Sequence, residues 1–105
     1  MENFTLVFSE EMLKQLKQLE KERDTKERIL KMFGKIEEKG SDAGKLLDYG
    51  LALYEVKSKR PPIRLYFRIV EKEARIFRYE MKTSAKKQQK TIDEIRENQN
   101  PKSLR

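Results

Sequence analysis

The 105-residue chain contains no cysteine, no histidine and no tryptophan. Without cysteine there is no disulfide support, no thiol chemistry and none of the usual structural zinc sites. Without histidine the commonest general acid–base and the commonest metal ligand are gone, and so is every histidine-containing triad. Glycine and proline are sparse, at four and three residues, and the chain shows no glycine-rich phosphate loop, dinucleotide fingerprint, repeat or low-complexity linker. No apolar run approaches the roughly 18 residues that span a bilayer. Glu2 stands where a signal peptide would carry positive charge. These absences predict a single cytoplasmic domain over 1–105 that engages no membrane.

What the chain does have is charge. Charged residues make up 41% and hydrophobic residues 36%, enough apolar material for one modest core. Lys and Arg total 25 against 18 Asp and Glu, for a net +7, and the excess is lopsided. Residues 1–56 carry a net −2 and residues 57–105 a net +9. Solvating charge scattered along a chain tends to balance locally, so a basic half points to a polyanion or an acidic partner.

Periodicity gives the element order. Phe4, Leu6 and Phe8 alternate in a short strand. Ser9 then caps a helix, with Glu10 and Glu11 in its first turn and Met12, Leu13, Leu16 and Leu19 as its apolar stripe. Asp24 and Glu27 fit a capping box for a second helix that buries Ile29, Leu30, Phe33 and Ile36 and stops at Gly40. Gly34 within it suggests close packing on the first helix. After Gly50 the period changes to two. A strand runs through Leu53, Tyr54, Glu55, Val56 and Lys57, and Pro61-Pro62 interrupts. Ile63, Leu65, Phe67 and Ile69 then alternate cleanly with Arg64, Tyr66 and Arg68, and Phe77, Tyr79 and Met81 with Arg78, Glu80 and Lys82. Thr83 or Ser84 caps a last helix with Ala85, Gln88, Ile92 and Ile95 on one side, and residues 99–105 form a frayed tail. The expected fold is therefore α+β. A strand-plus-hairpin segment (1–40) covers one face of a small antiparallel sheet, and the sheet and C-terminal helix fill 51–98, in the order β-α-α-β-β-β-α. The opposite face of the sheet is expected to be open.

That open face would be cationic. Arg64, Arg68 and Arg78 point away from the core, as does Lys82, and Lys57, Lys59 and Arg60 arrive from the preceding strand and loop. Arginine forks suit phosphate, lysine adds point charge, and Tyr54, Tyr66 and Tyr79 are stacking candidates for unpaired bases. Lys86 opens a Lys86-Lys87-Gln88-Gln89-Lys90 run that reads as a solvated helix face. Scattered acids such as Glu71, Glu73 and Glu80 gather no hard-ligand set, so neither a metal nor a small-molecule cofactor is expected. Such a face could bind RNA or cleave it. Cleavage without metal uses the ribose 2′-hydroxyl as nucleophile. Glu55 or a lysine would take its proton, Arg64 and Arg68 would hold the phosphate, and Tyr79 or Lys82 would supply the leaving-group proton. Glu55 has a second reading, as the ion-pair partner of a neighbouring arginine.

The stretch Tyr49-Gly50-Leu51-Ala52-Leu53-Tyr54-Glu55-Val56, followed by Ile63-Arg64-Leu65-Tyr66-Phe67 and then Tyr79-Glu80-Met81-Lys82-Thr83, resembles the RelE/ParE toxin superfamily, especially its HigB-like, phage-derived branch. The resemblance covers about residues 45–98. It implies a small cytoplasmic toxin of a type II toxin–antitoxin pair, held by a cognate antitoxin protein. In the RelE and HigB branches it implies a ribosome-dependent, metal-independent endoribonuclease acting on mRNA. The ParE branch implies DNA gyrase inhibition instead, and a degenerate homologue or a simple basic RNA-binding domain are the remaining alternatives. By position, Glu55, Arg64, Tyr79 and Lys82 match the family pattern as catalytic residues. Lys57, Lys59 and Arg60 fall in its basic cluster, and Arg68, Arg78 and Lys86 extend the RNA-binding set. The chain departs from the pattern at Met81, which replaces the first of a lysine pair, at Pro61-Pro62, and in lacking a C-terminal histidine.

Overall fold

A computed structural model describes residues 3–82 and 84–99. Its elements are β1 (Thr5–Phe8), α1 (Glu10–Gln18), α2 (Arg23–Lys39), β2 (Lys45–Asp48), β3 (Leu53–Lys59), β4 (Pro62–Val70), β5 (Glu73–Met81) and α3 (Ala85–Gln99). One five-stranded sheet has the order β1-β5-β4-β3-β2. Strands β2 to β5 form an antiparallel meander, and β1 joins the far side of β5 in parallel. The sheet therefore has one strand more than the periodicity gives. That strand, β2, is only four residues long with a register shift between Leu46 and Asp48, too brief to leave a period in the sequence.

Local signals explain most boundaries. Ser9 caps α1, its Oγ accepting from the Met12 N–H at 3.0 Å, and the same hydroxyl donates to the Phe77 carbonyl, tying the helix start to β5. The expected Asp24–Glu27 capping box does not form. α2 begins at Arg23 after Glu22 with no side-chain cap, so Asp24 lies inside the first turn, where its charge still favours the exposed amides. Gly40 ends α2 in the left-handed region at φ 59°, and a Cβ there would strike the Phe4 ring. Gly34 has open space where its Cβ would be, so it makes no close helix contact. Leu13 and Leu30 stand about half exposed, and Met32 takes the buried place expected of Leu30. The β3–β4 turn contains a cis Arg60–Pro61 bond, and the Ser58 hydroxyl donates to the Pro61 carbonyl at 2.7 Å.

The sheet is covered on both faces, unequally. On one, Val56, Ile63, Leu65, Phe67, Ala74 and Ile76 pack against Met12, Leu19, Ile29, Met32, Phe33 and Ile36 from the helical segment. On the other, α3 lays Ile92 and Ile95 over Leu53, Tyr66 and Phe77. The expectation of an open second face is therefore corrected: α3 lies across its middle. The alternation assigned to β5 is also corrected. The pairing passes from Tyr66–Arg78 to Phe67–Ile76, so Phe77 is an extra residue, a β-bulge that sends Ile76 to the first core and Phe77 to the second.

Candidate nucleic-acid interface

The register of β3, β4 and β5 sets charged side chains in rows on the α3 side of the sheet. Lys57, Arg64 and Glu80 form one row, Glu55, Tyr66 and Arg78 the next, and Leu53, Arg68 and Arg75 a third. Neighbours within a row are ~5 Å apart, while Arg64 and Arg68, four residues apart on β4, are separated by ~13 Å. Tyr66 lies between those two arginines and is fully buried beneath α3. The two arginines thus flank the helix and share no open cleft.

At the Arg64 end, a carboxylate is enclosed. Glu55 is 4% exposed, and Arg64 Nη1 lies 3.2 Å from its Oε1 and 3.0 Å from its Oε2. Gln88 of α3 donates to Oε2 at 2.9 Å, and Lys57 Nζ is 4.0 Å from Oε1. Of the two readings of Glu55, the geometry is that of the ion-pair partner. Its work is to fix the Arg64 fork, since both its oxygens are occupied and α3 lies over them. Arg64 remains 18% exposed, so part of the guanidinium faces outward, while its Nε is buried and has no partner among the described residues.

A second carboxylate is enclosed beside the first. The Tyr66 hydroxyl donates to one oxygen of Glu80 and the Thr91 hydroxyl to the other. Burial first, and then the bond to Glu80, holds the Tyr66 phenol far above its ordinary range. Farther along, Arg78 pairs with Glu94 at 3.0 Å, and Arg96 pairs with Asp48 at 2.6 Å. These contacts pin α3 along its length. At its start the Ser84 Oγ accepts from the Lys87 N–H at 3.2 Å, and Thr83 lies outside the described residues.

The structure thus brings Arg64, Glu55 and Lys57 together. Lys82 follows β5, its N–H donating to the Pro62 carbonyl at 2.9 Å, so strand alternation carries it to the Arg64 side. Lys86 is exposed in the first turn of α3. Arg68 and Arg78 share the face but lie away from Arg64, and Arg78 is already paired. Lys59 and Arg60 line a groove against α2.

Tyr79 is not with them. It pairs with Leu65 and packs against the core of the opposite face, where burial foremost and then Glu22 raise its phenol. The structure does not bring it to Arg64: its pairing with Leu65 keeps it on the α1 and α2 face, while the bulge sends its expected row-mate Phe77 to the other. The stacking role of the tyrosines is corrected with it. Tyr54 stacks on Phe67 at 5.7 Å between ring centroids, and Tyr66 is sealed under α3, so none of the three stands open on the cationic face. What the sequence did not reveal is the set that holds this end in shape: Gln88, Thr91 and Glu80. Their one signal was Gln88 on the same side of the last helix as Ile92 and Ile95.

No protein-family model and no curated protein sequence matches the chain. Solved structures do. The RelBE2 toxin–antitoxin complex of Mycobacterium tuberculosis matches with a TM-score of 0.64 at 19% identity, over 80% of this chain and 97% of that one. The isolated E. coli RelE toxin matches with a TM-score of 0.63 at 20% identity, over 88% and 98%. An arginine-substituted mutant of E. coli RelE in the free state gives 0.68 at 18%, over 89% and 98%. By TM-score and by coverage of both chains, the chain has the fold of the RelE toxins.

Proposed function

We propose that the protein is a toxin of a toxin–antitoxin pair and a metal-independent endoribonuclease that cuts mRNA on the ribosome. The observation that carries this reading is the enclosed Glu55–Arg64 pair. The fold fixes an arginine fork at the edge of a basic face, with lysines on either side. The matching solved structures are RelE toxins, one of them in complex with its antitoxin. They support the RelE side of the superfamily and lend nothing to a HigB-like assignment.

RNA cleavage without a metal needs three services. A group removes the 2′-hydroxyl proton, a cation stabilises the pentacoordinate phosphorane, and an acid protonates the departing 5′-oxygen. Arg64 supplies the second, positioned by Glu55 and, through it, by Gln88 of α3. Lys57, in the same row as Arg64, and Lys82, just beyond Met81, are the groups placed to move protons. Lys86 would hold the RNA backbone nearby, and Arg68 would contact it across α3. DNA, which lacks the nucleophile, would bind without being cut.

The test is primer extension on a defined mRNA during cell-free translation, with the wild-type protein, with Arg64→Ala and without ribosomes. New 3′ ends inside the coding region are expected with the wild type only, and only during translation. Arg64→Ala should lower cutting by about a hundredfold while its thermal unfolding stays cooperative. Translation arrest without cuts would overturn the nuclease and leave a binder of the same fold. Inhibition of gyrase with intact mRNA would transfer the protein to the ParE-like alternative.

A further inference from the structure

α3 crosses its face of the sheet between two arginines of β4. Arg64 belongs to the site described above, and Arg68 lies beyond the helix. There the register lines up Asp48, Leu53, Arg68, Arg75 and Val7 in one row across all five strands. The row sets two arginines side by side, and like charges directly opposite one another on a sheet repel. Arg75 has a counter-charge, Glu73 at 3.3 Å from its Nη2, with both side chains nearly half exposed. Arg68 has none. Alone among the arginines of β4 and β5 it makes no ion pair and no hydrogen bond among the described residues. Its Nε is buried without an acceptor, whereas its Nη groups, equally unbonded, reach solvent. A partly buried guanidinium without a counter-charge is costly to the isolated fold. It gains from an anion brought from outside, for which the planar fork offers paired donors.

The same row leads to an exposed aromatic ring. Asp48 ends β2 two strands from Arg68, ~10 Å away. Tyr49 follows it in the turn to β3 and is 89% exposed. That turn is tied at several points. Asp48 Oδ1 accepts from the Leu51 N–H at 3.0 Å, and the Tyr49 carbonyl accepts from the Ala52 N–H at 3.1 Å. Asp48 Oδ2 accepts from Arg96 of α3 at 2.6 Å, and Leu47 and Leu51 pack into the apolar strip beneath α3. A ring carried on a tied turn can be used without the ordering cost of a mobile loop.

We propose that Arg68 and Tyr49 form a subsite for an unpaired nucleotide of a single strand, with a phosphate on the Arg68 Nη groups and a neighbouring base on the Tyr49 ring. Stacking selects a single strand, because a base offers its face to a side chain only when it is unstacked from its neighbours. Carboxylates bracket the place and cancel the other cations: Glu73 beside Arg75, and Asp48 and Asp93 on Arg96. One phosphate is therefore taken here, and a duplex, which is held through many phosphates at once, is not. Arg68 and Arg64 are ~13 Å apart along β4, so the nucleotide held here is not the one that meets Arg64. Cleavage is not needed for this binding, which asks only that a single strand reach this end of the sheet.

The test uses the full chain and a single-stranded hexadeoxynucleotide with one central 2-aminopurine, a base whose fluorescence falls when it stacks. DNA has no 2′-hydroxyl, so the readout is independent of cleavage, and a failure here is told apart from a failed nuclease. The chain has no tryptophan and its other tyrosines pack against the two cores, so quenching by a tyrosine reports Tyr49. Wild-type protein should quench the probe on binding. Tyr49→Ala should abolish the quenching and weaken binding by about tenfold with its melting curve unchanged, and Tyr49→Phe should keep both. Arg68→Gln should weaken binding and lower the slope of log affinity against log salt by about 0.7, the share of one phosphate on a single strand. No quenching by the wild type, quenching that survives Tyr49→Ala, or a salt slope unmoved by Arg68→Gln overturns the subsite. So does a duplex of the same sequence that binds as tightly and responds equally to Arg68→Gln.

Discussion

The two faces of the sheet are built from the same strands and do opposite things. Beneath α1 and α2 the contact is mainly between hydrocarbon groups: Ile63, Leu65, Phe67 and Ile76 meet Met12, Ile29, Phe33 and Ile36, and the Gln15 amide of α1 adds two hydrogen bonds to the Tyr79 backbone. Beneath α3 the hydrocarbon is a narrow strip of Leu53, Tyr66 and Phe77 against Ile92 and Ile95. Around that strip two carboxylates, two hydroxyls, an amide and an arginine are bonded to one another. The dry face supplies the driving force of folding, which follows buried apolar area. The second face holds ionisable groups in fixed positions, and each must keep its partners because burial makes an orphan expensive.

Substitutions separate the two. Phe67→Ala removes a fully buried ring from the dry face and should cost about 4 kcal/mol in denaturant unfolding, with no change in the binding face. Glu55→Ala leaves the Arg64 guanidinium partly buried without its counter-charge and should cost about 3 kcal/mol. It should also abolish the ordered position of Arg64, visible as loss of its resolved, slowly exchanging guanidinium N–H signals in nitrogen-15 NMR. If Phe67→Ala and Glu55→Ala cost the same and silence the same functions, the contrast between the faces is wrong.

Tyr66→Phe sharpens the contrast through pH. It should cost about 1 kcal/mol at neutral pH by removing one bond to Glu80. In the folded chain Tyr66 keeps its proton well above pH 10, whereas in the unfolded chain it ionises near its ordinary value of about 10. Its contribution is therefore complete below pH 10 and is lost progressively above it, at up to ~1.4 kcal/mol per pH unit. Tyr66→Phe should flatten that alkaline decline in urea titrations at pH 9, 10 and 11, leaving a smaller slope from Tyr79, which shifts the same way. The smallest effect has the opposite sign. Gly34→Ala meets nothing at its Cβ and should raise stability by about 0.5–1 kcal/mol in thermal unfolding.

The sequence showed the dry face more fully than the other. The period-two run Ile63, Leu65, Phe67, Ile69 named one core row of β4 outright, and Ser9 marked the start of α1, because each is a local pattern with a local cause. In β5 the pattern failed at one place. A bulge adds one residue to the count, and Phe77 and Tyr79, two apart and both aromatic, look like one row when they lie on different faces. The stripe of Gln88, Ile92 and Ile95 was visible on α3, but its destination was not, since nothing local states which surface a terminal helix will lie on. Arg64 was legible as a cation facing away from the first core. That Glu55 would be consumed in holding it, under Gln88, is tertiary information from residues 33 apart in the chain.

Past the end of β2, the outer edge of Val56–Lys59 has no strand beside it among the described residues, and this bears on how these molecules treat each other. A bare strand edge is ordinarily an invitation to stack end on end into fibrils, and small proteins blunt it with charge. Here Lys57 and Lys59 lie on that edge with the α2 cations Arg28, Lys31 and Lys35 opposite, so a second copy presenting its own edge meets a fence of the same sign. Colloidal solitude then depends on ionic strength. In dilute buffer the fence stands, and as salt shortens the screening length toward ~3 Å near 1 M it weakens, so any edge-to-edge association is expected to rise with salt.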